Sequence, residues 1–151
     1  MNSTTILLVE DDPSDAELIK RSFVRGEVAN EVVLASDGQE ALDYIFGTGR
    51  HAGRDMSKLP ALTLLDFKLP KITGLEVLRR IRTETRTQRM PVVILTSSGE
   101  QKDLASGYDL GVNSYIRKPI DCKELARAIQ HLAWYWLVLN EPPPTMMEGE
   151  T

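Results

Sequence analysis

The chain is poor in several things, and each shortage excludes something. One cysteine among 151 residues, Cys122, leaves no intrachain disulfide and makes a reducing compartment, the cytoplasm, the natural setting. No basic excess exists: 18 Lys and Arg face 22 Asp and Glu, for a net charge of −4, so neither nucleic acid nor an acidic membrane surface is an expected partner. No apolar run nears the ~18 residues that a spanning helix needs. The start, MNSTT, lacks the charged and apolar regions of an export signal. Aromatics make up only 6%, yet Trp134, Tyr135 and Trp136 stand together near the C-terminus. The rest is ordinary for a globular protein, 42% hydrophobic and 26% charged, at a length that suits one domain.

Short apolar runs alternate five times with segments of helical period. The runs are residues 6–9, 31–35, 62–65, 92–95 and 114–116. Several are unbroken Val/Ile/Leu stretches, the pattern of strands covered on both faces of a parallel sheet. The first helix is predicted to open with Asp12 as cap, Pro13 at its first position and Asp15 in its first turn. The last is predicted to open with Asp121 as cap and Glu124 three residues on. Strand then helix, five times over, predicts an α/β fold with a doubly wound five-stranded parallel sheet. Residues 47–60 form a long loop rich in Gly, Pro and charge, and the tail from Asn140 onward carries Pro142, Pro143 and Pro144 and is expected to be extended or disordered.

In such a sheet the reactive groups lie beyond the carboxyl ends of the strands. Strand 1 ends in Glu10, Asp11 and Asp12, and strand 3 ends in Asp66. If those strands are neighbours, their carboxylates converge, and a hard oxygen set with open water positions suits Mg²⁺. Strand 4 ends in Thr96 and Ser97, strand 5 in Lys118 and Pro119. Acids, a hydroxyl and an ammonium around one aspartate suit phosphoryl transfer, where positioning and charge neutralisation dominate. Each residue alone has a plainer reading: Asp12 as a helix cap, Thr96 as a strand former, Lys118 as a surface lysine. His51 and His131 belong to no pattern, and Cys122 reads as a silent small residue.

The motifs ILLVEDDP (6–13), LLDFKLP (64–70) followed by Gly74, VVILTS (92–97) and YIRKP (115–119) resemble the response-regulator receiver domain of two-component signalling. The likeness covers about residues 5 to 132. It implies the flavodoxin-like strand order 2-1-3-4-5 and a set of roles. Asp66 would accept a phosphoryl group from a sensor histidine kinase, becoming an acyl phosphate. Asp11 and Asp66 would bind Mg²⁺ directly, Glu10 through water, and Lys68 by its backbone carbonyl. Thr96 would hydrogen-bond the phosphoryl group, Lys118 would pair with it, and Tyr115 would be the aromatic switch that turns inward as Thr96 moves. The bond between Lys118 and Pro119 would be cis. The departures are Lys68 as a cation near the phosphate, Asn113 and Ser114 leading into strand 5, and a polar Ser97; none removes a required group. Within the family, ALDYIFG (41–47), the long loop before strand 3, TSS (96–98) and WYW (134–136) resemble the phytochrome-associated single-domain regulators, which implies a bacterial phytochrome as kinase and an output by protein contact or phosphorelay.

The resemblance leaves residues 133–151 as an extension beyond a receiver of residues 1–132. Leu125, Ile129, Leu132 and Trp136 share one helical stripe that can pack on the sheet. From Leu132 to Leu139 the segment is apolar all round, too short to span a membrane, and without the basic face of a surface anchor. A homodimer through Leu132, Trp134, Tyr135, Trp136, Leu137 and Leu139 is the expectation. Two rivals stand beside the phosphoacceptor reading. A metal-dependent phosphatase or hydrolase of similar topology would want an acid two residues after the nucleophile, where Lys68 stands. A pseudo-receiver would bind partners without phosphate.

Overall fold

A computed structural model describes residues 5–25, 28, 30–55, 58–118, 122–141 and 143–144. The strands are β1 (Ile6–Val9), β2 (Val32–Ala35), β3 (Leu62–Leu65), β4 (Val92–Thr96) and β5 (Ser114–Arg117). Between and after them run α1 (Pro13–Arg25), α2 (Gly38–Phe46), α3 (Gly74–Thr83), α4 (Gln101–Asp109) and α5 (Cys122–Trp134). All four strand pairings are parallel, in the order β2-β1-β3-β4-β5, so the doubly wound sheet and its order are as expected.

The two-residue period of a strand divides the core into two layers. Leu7 and Val9 of β1 point to α2 and α3, where they meet Ala41, Leu42, Ile45, Val77, Leu78 and Ile81. Ile6 and Leu8 point the other way, to Ala16, Ile19 and Phe23 of α1 and Leu125 and Ile129 of α5. β1, β3 and β4 are buried along their whole length, which is why they read as continuous apolar runs. β3 interrupts its own run with Thr63, fully buried, whose Oγ1 lacks a hydrogen-bond partner among the described residues.

Local chemistry sets the helix starts. Asp12 Oδ1 accepts from the N–H groups of Ser14 and Asp15, capping α1 with Pro13 in its first turn. Asp37 caps α2 and Thr73 caps α3 in the same way. Asp121 and Pro119 lie outside the described residues, as does the peptide bond expected to be cis. The loop before β3 contains a 3-10 turn, Gly49–His51, and Arg54 ties it down. The Arg54 guanidinium donates to the carbonyls of Tyr44 and Lys58 and stacks 4.2 Å from the centre of the Tyr44 ring.

The last helix does not continue regularly into the aromatic segment. α5 ends at Trp134, and Tyr135–Leu139 winds with the wider π-helical hydrogen bond, Asn140 N–H to Tyr135 O at 2.7 Å. The wider turn rotates the face that follows. Leu132 and Ala133 are buried in the domain's own core, and Trp136 and Leu137 pack against it half-buried. Trp134, Tyr135, Val138 and Leu139 stay exposed, at 51 to 61%. Beyond Asn140 the described residues form no regular element, and the carbonyl of Pro144 lies 3.5 Å from Arg89. Among the described residues no helix is long and apolar enough to cross a membrane.

Candidate functional site

Parallel pairing of β1 with β3 and of β4 with β5 brings four strand ends to one edge of the sheet. Each supplies a polar or charged group at or just past its last paired residue. Glu10 and Asp11 follow β1, Asp66 follows β3, Thr96 closes β4 and Lys118 follows β5. The backbone fixes these positions: Asp66 N–H donates to Val9 O at 3.1 Å, and Lys118 N–H to Thr96 O at 2.7 Å. Gly74, the first residue of α3, completes the support by donating its N–H to Phe67 O at 2.9 Å. A Cβ built on Gly74 would stand 2.0 Å from the Asp66 carbonyl oxygen, so only glycine lets α3 approach this closely.

Asp66 is buried, 7% exposed, and both of its carboxylate oxygens are engaged. Oδ1 accepts from the Thr96 hydroxyl at 2.6 Å and from the Lys68 N–H at 3.2 Å. Oδ2 accepts from the Lys118 ammonium at 3.2 Å. That ammonium also donates to Glu10 Oε1 at 2.5 Å and to Asp15 Oδ2 at 2.8 Å. Glu10, Asp11 and Asp66 each present a carboxylate oxygen within 4.8 Å of the other two, Glu10 and Asp66 buried and Asp11 exposed. Two buried acids beside an exposed one form a hard-oxygen set with one side open to water, which fits Mg²⁺ or Mn²⁺.

Electrostatics follow from that crowding. Burial lifts the Glu10 carboxyl to about 7, with the Asp66 charge pushing the same way and the Lys118 bond opposing. For Lys118, burial works against the charge, but the bonds to Asp15 and Glu10 and the charges of Asp66 and Glu10 outweigh it, and the ammonium is held well above its ordinary value. Lys118 therefore stays a cation.

The site reaches outward through Ser98, which is buried. Its N–H lies 3.4 Å from Thr96 Oγ1, its hydroxyl donates to Asp103 Oδ2 at 2.5 Å, and its carbonyl accepts from the Tyr115 hydroxyl at 2.8 Å. Tyr115 also meets Phe67 edge to face at 5.5 Å. Tyr115 is thus joined to Thr96 through one residue. Ser97 is exposed, leaving the approach to Asp66 open, and the Lys68 side chain is exposed as well. Asn113, a departure from the family pattern, fixes the entry to β5, since its Oδ1 accepts from Val92 N–H at 2.8 Å and from Arg82 at 3.0 Å.

Glu10, Asp11, Asp66, Thr96 and Lys118 are brought together, and Tyr115 lies one residue removed. Sequence reasoning missed Asp15, which reads there as a first-turn acid of α1, and Ser98, the hub between Thr96 and Tyr115. Asp15 carried one usable signal: it lies in the first turn of the helix that leaves the acidic strand end. Ser98 appears in the sequence only as the end of the TSS motif, and its role is hidden because its hydroxyl and carbonyl partners come from α4 and β5.

A family model described as the response regulator receiver domain matches residues 6–130. The probable methanogenesis regulatory protein FilR2 of Methanothrix harundinacea is 41% identical over 138 residues, 91% of this chain and 86% of that one. The crystal structure of the phosphorylated cyanobacterial phytochrome response regulator RcpA superposes with a TM-score of 0.87 at 36% identity, covering 94% of this chain and 99% of that one. The response regulator Rcp1 of Synechocystis sp. is 35% identical over 87% of this chain and 88% of its own length. Its Mn²⁺-bound crystal structure superposes with a TM-score of 0.85, covering 93% and 99%.

Proposed function

This chain belongs to the response-regulator receiver family, and on that premise we propose that Asp66 is its phosphoacceptor and that the chain signals by the state of that one side chain. The observation that carries the reading is the clamp on Asp66: a hydroxyl on one oxygen, an ammonium on the other, and two more carboxylates within 4.8 Å. In the proposed reaction a carboxylate oxygen of Asp66 attacks the phosphorus of a kinase phosphohistidine. The new P–O bond forms as the P–N bond breaks, and the electron pair returns to the imidazole nitrogen. Thr96 and Lys118 bind the phosphoryl oxygens, Thr96 by donating its hydroxyl and Lys118 by neutralising charge. Asp11, Asp66, Glu10 through water and the Lys68 carbonyl would hold Mg²⁺, which neutralises the acids and the phosphoryl charge when bound. The metal bound to Rcp1 supports that assignment.

The donor is a sensor histidine kinase of the phytochrome kind, a reading supported by the likeness to RcpA. The setting is the cytoplasm. Residues 133–151 serve as a dimerisation element. Trp134, Tyr135, Val138 and Leu139, exposed together at the end of α5, are the surface offered to a second copy. Trp136 and Leu137 contribute their uncovered edges, whereas Leu132 is committed to the domain's own core.

Incubation with a small phosphodonor and Mg²⁺ separates this reading from a hydrolase. One base-labile phosphate held per chain is expected; continuous turnover of the donor contradicts it. Light scattering at tens of micromolar is expected to give a dimer, and a monomer both with and without a phosphate analogue refutes the C-terminal interface.

A further inference from the structure

The Lys118 ammonium has three protons, and three carboxylates accept them: Glu10 at 2.5 Å, Asp15 at 2.8 Å and Asp66 at 3.2 Å. The three acceptors are not equivalent. Glu10 and Asp66 lie in the acidic set that fits a divalent cation, and their side chains are 2% and 8% exposed. Asp15 is outside that set, is 35% exposed, and stands on the first turn of α1. Its backbone is pinned there, because its N–H donates to the capping carboxylate of Asp12.

Cation binding by Glu10 and Asp66 engages their oxygens and repels an ammonium. A phosphoryl group on Asp66 takes up that carboxylate oxygen and shifts the charge facing Lys118 outward onto the phosphoryl oxygens. Under either condition Asp15 is the one partner of the three left with an undiminished claim on Lys118. A lysine side chain without an anchor regains the freedom of four rotatable bonds, which opposes any fixed aim.

We propose that Asp15 is a positioning residue, an anchor on α1 that holds the Lys118 ammonium over Asp66 while the other two acids are occupied. The inference rests on the phosphoryl-transfer reading of the site and names a further member of its machinery. Asp15 touches neither Asp66 nor the transferred group; it acts through Lys118.

The test is the maximal rate of phosphoryl uptake from a small donor at saturating donor and Mg²⁺, in the full chain. Asp15→Asn, which keeps the shape and removes the charge, is expected to slow uptake about tenfold, the scale of one charge-assisted hydrogen bond lost from an aimed cation. Asp15→Glu is expected to recover most of the rate, which a merely structural role for the first turn of α1 would not produce. In a Lys118→Met background the added Asp15→Asn is expected to change the rate by less than about twofold, because coupled residues do not add. Uptake by Asp15→Asn at the wild-type rate overturns the anchor, and so does an equal loss in both backgrounds. If the wild-type chain itself takes no phosphoryl group, the reading of the site fails; if it does and Asp15→Asn matches it, only the anchor fails.

Discussion

Replacing Gly74 by alanine sets two effects of opposite sign against each other, and the structure decides which wins. In a helix, alanine is favoured over glycine by up to about 1 kcal/mol, and by less in the first turn. Against that, the new Cβ would lie 2.0 Å from the Asp66 carbonyl oxygen, 2.7 Å from Phe67 Cα and 2.9 Å from the Asp66 carbonyl carbon. A carbon–oxygen contact settles near about 3.3 Å, so a gap of roughly 1.3 Å must open between α3 and the end of β3. All three obstructing atoms are backbone, so no rotamer change relieves them. Overpacking of this kind costs about 1–3 kcal/mol, leaving a net loss of about 1–2 kcal/mol, or about 3–6 °C in midpoint at this chain length. The displaced backbone is that of the phosphoacceptor itself. A shift of about 1 Å there is expected to slow phosphoryl uptake about a hundredfold. Circular dichroism melting and a phosphodonor time course on one preparation check both numbers. A variant that melts at or above the wild-type midpoint and takes phosphate at the wild-type rate rules out the steric role given to Gly74.

Other consequences can be measured as directly. Glu10 binds its proton more tightly when folded, at about 7 against an ordinary 4.5, so the metal-free chain gains from it fully below pH 4.5 and loses that contribution as pH rises toward 7. Metal binding needs the ionised form, so Mg²⁺ affinity by titration is expected to rise up to about tenfold per pH unit from 5 to 7 and level off above; a flat profile contradicts the assignment of Glu10. Thr63→Val removes a buried hydroxyl that has no partner among the described residues and is expected to stabilise the chain by about 1 kcal/mol in urea unfolding. Ile129→Ala, at the centre of the α5 stripe and fully buried, is expected to cost about 2–5 kcal/mol in the same assay. Trp134→Ser with Val138→Ser is expected to yield a monomer by light scattering with unchanged phosphate uptake, since neither side chain is buried in the domain's core.

What was legible in the sequence depended on how local its cause is. β1 and β3 are legible to the residue because both faces of each are buried, so no polar position blurs the run. β4 and β5 extend one residue further than the apolar pattern, because Thr96 and Arg117 pair with each other by backbone, which hydropathy does not register. The caps of α1 are legible in Asp12 and Pro13 because capping acts within three residues. The widening of the last helix at Tyr135 is not, since one displaced hydrogen bond leaves no mark on composition. The widened segment carries the exposed Tyr135, Val138 and Leu139, and the core claims Leu132, which the sequence places both on the packing stripe and in the expected interface. In the site, residues at strand ends are found by topology, whereas Asp15 acts through its carboxylate on a lysine 103 positions away and Ser98 through its backbone carbonyl on a tyrosine 17 positions away.

Everything proposed for this chain depends on Asp66 as the residue that receives phosphate. Peptide mass spectrometry after treatment with a phosphodonor and Mg²⁺, with the acyl phosphate trapped by reduction before digestion, locates that phosphate to a single side chain. One modified position is expected, Asp66, with no incorporation in Asp66→Asn. Phosphate on any other side chain, or incorporation by Asp66→Asn at the wild-type rate, contradicts the assignment.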